Sequence, residues 1–359
     1  TTFASSLSWC GTHPSQHGRP SSPPPRVQLA RHTHLYPPLL ELDLALAVGG
    51  EILVRYASGL AIKAKVKPLI VGLTVVAIGT SSPELFASIQ AILSGSSGIA
   101  VGNVVGSNIA NLGLALGLTA IIRPLSIDNG ILKMDWPILM VVTVLFGALA
   151  IDGVYSRLDG VVFLASMATF MFVQISRSRR IKKRNELAEN RTINVKDNGS
   201  ESNSRFEDIS EKRYVELIFG IATGSLLLYY GAAWFISCAT DIAKNFNISE
   251  HVIGITVVAF GTSVPEIVAS VTAALKGQSD LSIGNLIGSN IMNILLVLGA
   301  SSAISDIAID QQIITGDFWW MFGTTALLYP ILTIGKKISR VHGAIYLVCY
   351  VVYIWLALG

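Results

Sequence analysis

The chain has 359 residues, of which 51% are hydrophobic and only 14% charged, with a net charge of +3 and a mean hydropathy of +0.57. A soluble domain carries about a quarter of its residues as charges, so this composition excludes an ordinary soluble protein and points to a polytopic membrane protein. Cys10, Cys238 and Cys349 lack metal-binding or framework spacing and are expected to be unpaired, packing as small apolar side chains.

Residues 1–38 are rich in Ser, Pro and His, with no acidic residue before Glu41, and are expected to form a disordered N-terminal extension. They lack the apolar core of a secretory signal, whereas an organellar transit peptide, an inert tail and a mis-assigned start all fit. From Leu39 onward, apolar segments long enough to cross a bilayer alternate with short polar breaks, at 39–61, 69–93, 99–122, 134–151, 159–176, 215–238, 251–275, 281–304, 317–334 and 342–358. The periodicity therefore predicts an all-α membrane protein with ten transmembrane helices in two groups of five, residues 39–176 and 214–359. Between them lies a hydrophilic linker, 177–213, which opens on Arg177, Arg179, Arg180, Lys182, Lys183 and Arg184 and reads as a solvated segment.

With that linker on the cytoplasmic side, the loops of that face carry twenty Lys and Arg residues and those of the opposite face two, Arg157 and Lys244, with the three arginines of the N-terminal extension weighing mildly the other way. The bias sets the orientation and puts both termini outside. Five is an odd number, so the second group must enter the membrane upside down relative to the first: the ten helices form two inverted five-helix repeats. Within the first helix Glu51 and Arg55 stand four apart, the spacing of a structural ion pair. Trp136, Trp319, Trp320 and Trp355 lie near span ends, as interfacial anchors do.

The two groups share a duplicated motif, 182 positions apart and without a gap. The first copy holds GTSSPE (79–84) and GNVVGSNIAN (102–111); the second holds GTSVPE (261–266) and GNLIGSNIMN (284–293). Each puts a glutamate, Glu84 or Glu266, inside an apolar run, at a cost of roughly 2.5–3.5 kcal/mol or more per carboxylate near the bilayer centre. Duplicated halves meeting at a midplane site are a transporter architecture. Pro83 and Pro265 cannot donate a backbone hydrogen bond and push away the carbonyls four residues earlier, so each helix should open just where its glutamate projects. Carbonyls, the hydroxyls of Thr80, Ser81, Thr262 and Ser263, and two carboxylates suit a hard divalent cation such as calcium; hydroxyls and carbonyls alone suit sodium better. No His or Cys lies in either motif, which argues against zinc or copper. Small residues such as Gly102, Gly106 and Gly288 serve close helix packing. Ser107 and Asn111 share a helix face and read as ligands, with Ser289 and Asn293 as their counterparts, although interhelical hydrogen bonding is a rival role; Asn103 and Asn108 are expected to bond a neighbouring helix.

At these motifs the chain resembles the calcium/cation antiporter superfamily, in its sodium/calcium exchanger branch, over residues 39–358. The resemblance implies a sodium-for-calcium antiporter. Carried over by motif position, it implies calcium bound by Glu84 and Glu266 with oxygens of Thr80 and Thr262. Sodium would use Ser81, Ser107, Ser263 and Ser289 with the backbone oxygens of Ala77 and Ala259, while Asn111 and Asn293 close the central site. Two departures stand out: the linker is too short for the calcium-sensing domains of animal exchangers, and many relatives have aspartate where this chain has Asn293. The expected partners are calcium and sodium ions and the lipid bilayer, with no cofactor, no nucleic acid and no need of a second subunit. The expected location is the plasma membrane, an organellar membrane being the alternative. Proton/calcium and potassium-dependent antiport are the nearest rivals, a cation channel is the rival of another class, and neither motif offers the nucleophile–base pair of an enzyme.

Overall fold

The computed structural model describes residues 39–93, 97–128, 130–189, 211–245, 259–335 and 337–358. The N-terminal extension, and much of the expected linker, lie outside those residues. The fold is helical: α1 (Leu39–Ala64), α2 (Pro68–Thr80), α3 (Ser82–Leu93), α4 (97–122), α5 (Ile131–Leu149), α6 (Arg157–Glu189), α7 (Tyr214–Asn245), α8 (Ala259–Thr262), α9 (Val264–Leu275), α10 (Ser279–Ile304), α11 (Ile313–Gly335) and α12 (Arg340–Leu358). Among the described residues eight helices are long and apolar enough to cross a membrane, and the α2–α3 pair, bent by 42°, makes a ninth if taken as one span. Only the second part of the expected 251–275 span falls within the described residues, as α8 and the shorter apolar α9.

Four two-residue strands cap the helices: β1 (Leu125–Ser126), β2 (Val154–Tyr155), β3 (Ile307–Ala308) and β4 (Lys337–Ile338). β1 pairs antiparallel with β4, Leu125 opposite Ile338, and β2 pairs antiparallel with β3, Tyr155 opposite Ile307. Each ladder thus joins a strand of one sequence repeat to a strand of the other, and these four residues are fully buried. The 182-residue offset recurs in local backbone geometry as well. π-helical turns occupy Asn111–Leu116 and Asn293–Leu298, and again Ile131–Asp135 and Ile313–Asp317.

Glycine lets the central helices approach backbone to backbone, as in other membrane bundles. At the α2–α10 crossing, a Cβ on Gly72 would lie 2.6 Å from the Leu281 carbonyl oxygen, and a Cβ on Gly284 would lie 3.3 Å from Gly72 Cα. α4 and α12 meet in the same way, a Cβ on Gly343 falling 2.6 Å from the Gly117 oxygen. α10 is the most enclosed helix, with every residue from Leu281 to Leu295 buried; it runs through the largest apolar cluster, which also takes in Leu69, Ile109, Leu116, Phe146 and Phe163.

Three local expectations change. α6 does not end at 176 but continues to Glu189, because the Arg- and Lys-rich stretch that ends the apolar run, with its Glu, Leu and Ala, is itself helix-forming. Glu51 pairs with the Lys276 ammonium at the end of α9, a cation distant in sequence, and not with Arg55. Trp136 is half-buried, donating from Nε1 to the Thr325 carbonyl at 2.9 Å and stacking near Tyr329, whereas Trp319 and Trp355 are exposed on the helix surface, as interfacial anchors would be.

Candidate cation site

The two prolines open their helices at matched points. Ser81 and Ser263 leave helical geometry with nearly the same dihedrals, φ −85°, ψ 6° and φ −85°, ψ −2°. Pro83 and Pro265 then follow at the starts of α3 and α9, where a missing N–H costs nothing but strips Gly79 and Gly261 of their helical donors. Glu84 and Glu266 sit in the first turns of these helices. Both are fully buried, and each helix N-terminus favours their negative charge.

Across the breaks, α4 and α10 supply the second half of the site, and the hydrogen bonds run in matched pairs. Thr80 Oγ1 donates to Asn285 Oδ1 at 3.1 Å and lies 3.3 Å from Ser289 Oγ. Its counterpart Thr262 donates to Asn103 Oδ1 at 3.4 Å and lies 3.5 Å from Ser107 Oγ. Asn103 Nδ2 donates to Ser88 Oγ at 3.0 Å, and Asn285 Nδ2 to Ser270 Oγ at 3.1 Å. Asn103 and Asn108 both bond neighbouring helices, as expected. Ser88, Asn285 and Ser270 complete these chains without having stood out in the sequence. The signal that could have found Ser88 and Ser270 is the same offset, since an Ala-Ser pair recurs at 87–88 and 269–270.

Ser81 Oγ donates to Glu266 Oε1 at 3.1 Å, and the hydroxyls of Thr80 and Ser289 lie beside the same carboxylate. The two glutamates are close enough for their charges to interact. Thr80, Ser81, Glu84, Ser107, Asn111, Thr262, Ser263, Glu266, Ser289 and Asn293 are all buried. The Ala77 carbonyl accepts the Ser81 N–H at 2.9 Å, with Thr80 Oγ1 at 3.5 Å. Ala259 begins α8.

Buried polar atoms normally find partners, yet here several acceptors have none: both Glu84 oxygens, Glu266 Oε2, Asn111 Oδ1 and Asn293 Oδ1. Buried oxygens left over from hydrogen bonding, two of them on one carboxylate, are what a hard cation uses in place of its hydration shell. Among the described residues no three His, Cys, Asp or Glu side chains converge, so the donor set is two carboxylates with amide, hydroxyl and carbonyl oxygens. That composition fits calcium and sodium and does not fit a thiolate- or imidazole-seeking metal.

The model of the sodium/calcium exchanger protein family matches residues 43–176 and 216–359, the two repeat-bearing segments. The chain is 31% identical over 340 residues to the sodium/calcium exchanger MaX1 of Methanosarcina acetivorans, covering 88% of this chain and 96% of that one. It is 31% identical over 327 residues to the inner membrane protein YrbG of Escherichia coli, again covering 88% and 96%. Among solved structures, the sodium–calcium exchanger NCX_Mj soaked with sodium and strontium superposes with a TM-score of 0.70 at 29% identity, over 88% of this chain and 96% of that one.

Proposed function

The chain belongs to the sodium/calcium exchanger family, and from that membership we propose that it is a secondary antiporter moving sodium against calcium through one buried site. It is a multi-pass integral membrane protein of a family of exchangers. The observation that carries the reading is the pair of fully buried glutamates on the two helix breaks, with Glu84 wholly and Glu266 partly unpartnered.

Calcium is bound between Glu84 and Glu266, with Thr80, Thr262, Asn111 and Asn293 contributing neutral oxygens. Sodium ions take the hydroxyls of Ser81, Ser107, Ser263 and Ser289 together with the carbonyls of Ala77 and Ala259. The ions compete because the oxygens overlap. A loaded site has its negative charge neutralised and can be occluded and reopened to the other side. The empty site, with two carboxylates and no counter-charge, is too costly to bury, and that penalty couples the two fluxes. The scaffold is ten helices in two inverted repeats, 39–176 and 214–359, working as a monomer in the plasma membrane with the 177–213 segment cytoplasmic. The 182-residue recurrence of π turns and hydrogen-bond pairs supports a duplicated unit.

Calcium uptake into proteoliposomes, driven in turn by outward sodium, potassium and proton gradients, tests the reading. Uphill uptake driven by sodium alone is expected. Uptake driven only by protons would replace sodium with a titrating glutamate, and a flux that no opposing gradient can drive uphill would make the protein a channel.

A further inference from the structure

The asparagine at the end of each second motif is an ambiguous ligand: one end of its amide is an acceptor and the other a donor, and only the oxygen can face a cation. A carboxylate has no such ambiguity. Something must therefore orient Asn111 and Asn293, and the residues three positions earlier in the opposite repeats are placed to do it.

Asn290 Oδ1 accepts the Asn111 Nδ2 hydrogen at 3.0 Å, while Asn290 Nδ2 donates to the Asn108 carbonyl at 3.3 Å. Asn290 is thereby fixed by the main chain of α4, and it engages the donor end of Asn111. The one polar atom of Asn111 left over is Oδ1, buried and without a partner. On the other side, Asn108 Nδ2 donates to the Asn290 carbonyl at 3.3 Å, so its amide is anchored in the mirror-image way. The mirror of the last bond is not made: Asn108 Oδ1, Asn293 Nδ2 and Asn293 Oδ1 are all buried and all lack a partner. The Asn293–Leu298 turn packs directly on the part of α4 that carries Asn108.

We propose that Asn108 and Asn290 are positioning residues, each an amide lock that turns the oxygen of the opposite repeat's motif asparagine toward the cation. The Asn290–Asn111 lock is closed here. The Asn108–Asn293 lock is open, and it closes when Asn293 engages the ion. Neither Asn108 nor Asn290 touches the cation; they decide which end of their neighbour does. The inference rests on the exchanger reading above and adds to it a requirement peculiar to an asparagine at 293.

The test is a double-mutant cycle read on the calcium concentration that half-saturates sodium-driven uptake into proteoliposomes. Asn108→Ala should raise that concentration roughly three- to ten-fold, the scale of one buried hydrogen bond, in a protein that otherwise carries the natural sequence. In an Asn293→Asp background, where both side-chain oxygens are acceptors and nothing needs orienting, Asn108→Ala should leave it within about two-fold, since an unneeded contact carries no coupling energy. A purely structural role at the α4–α10 crossing would cost the same in both backgrounds, and equal costs overturn the proposal. Should Asn108→Ala fail to give a monodisperse protein, Asn290→Ala alone and with Asn111→Asp runs the same cycle from the closed lock, with the same outcomes decisive. Absence of sodium-driven calcium uptake by the unaltered protein would instead overturn the exchanger reading, and the locks with it.

Discussion

Ser81 and Glu266 belong to different repeats, yet the Ser81 hydroxyl donates to Glu266 Oε1 at 3.1 Å. The helix break of one half thus holds the carboxylate of the other. Glu84, the matching carboxylate, accepts no bond at either oxygen. Two groups identical by sequence position are therefore unequal in their surroundings, and a site built by exchange of partners between repeats cannot be assembled from either repeat alone.

Substituting either carboxylate should separate transport from folding. Glu84→Gln and Glu266→Gln keep the side-chain size and lose the ionic ligand, worth ~3 kcal/mol, or about two decades in calcium affinity. Each variant should elute as a monodisperse protein and show calcium uptake at least about a hundred times slower at sub-millimolar calcium. Near-normal uptake by either one would remove that glutamate from the site.

In the proposed cation site, position 293 is a neutral asparagine. With two carboxylates and not three, surplus negative charge to hold a monovalent co-substrate is lacking, so sodium-driven calcium uptake should run equally well in choline and in potassium medium. Asn293→Asp restores the third charge and should bring either potassium stimulation or a new pH dependence as the carboxylate titrates. Unaltered protein that is silent until potassium is added would assign it to potassium-dependent exchange.

The proposed inversion of the repeats makes an accessibility prediction at two exposed positions 182 residues apart. Asp152, in the turn between α5 and α6, and Ile334, at the end of α11, are both exposed. In a background lacking Cys10, Cys238 and Cys349, Asp152→Cys should react with an impermeant thiol reagent from the outside only and Ile334→Cys from the cytoplasm only. Labelling of both from one side would mean that the halves run parallel.

Glycines of similar motif texture should differ sharply in tolerance. Gly72→Ala puts a methyl 2.6 Å from the Leu281 oxygen in rigid backbone, and overpacking of that kind typically costs about 1–3 kcal/mol. Gly102, against the expectation that it serves close helix packing, is open: a Cβ there meets nothing within 4 Å. Thermal unfolding in detergent should show a fall of several degrees for Gly72→Ala and little change for Gly102→Ala.

Much of this was readable beforehand because a gapless duplication carries its own register. Glu84 with Glu266, Thr80 with Thr262 and Asn111 with Asn293 are pairs in the sequence, and in the fold they converge on two crossing helices and two broken ones. What escaped were contacts with no local signal. Glu51 finds Lys276 and not Arg55 because a nearby charge at helical spacing competes with one delivered by another helix, and only tertiary packing decides between them. The strand pairs β1–β4 and β2–β3 are too short for any periodicity to announce. The end of α6 was missed because hydropathy marks where an apolar face stops, whereas helix continuity follows propensity, which stays high through Arg177–Glu189.

The crossed ladders also impose an order on biosynthesis. β1 is complete early, but its partner β4 is the last element made before α12, and β2 must wait for β3. Until the second half emerges, the edges of Leu125–Ser126 and Val154–Tyr155 offer unpaired backbone groups where the finished protein has them paired. A nascent or truncated first half therefore carries two sticky ends at the membrane surface, suitable for capture by a chaperone or by a second incomplete chain. Pairing with β3 removes one of them and pairing with β4 the other.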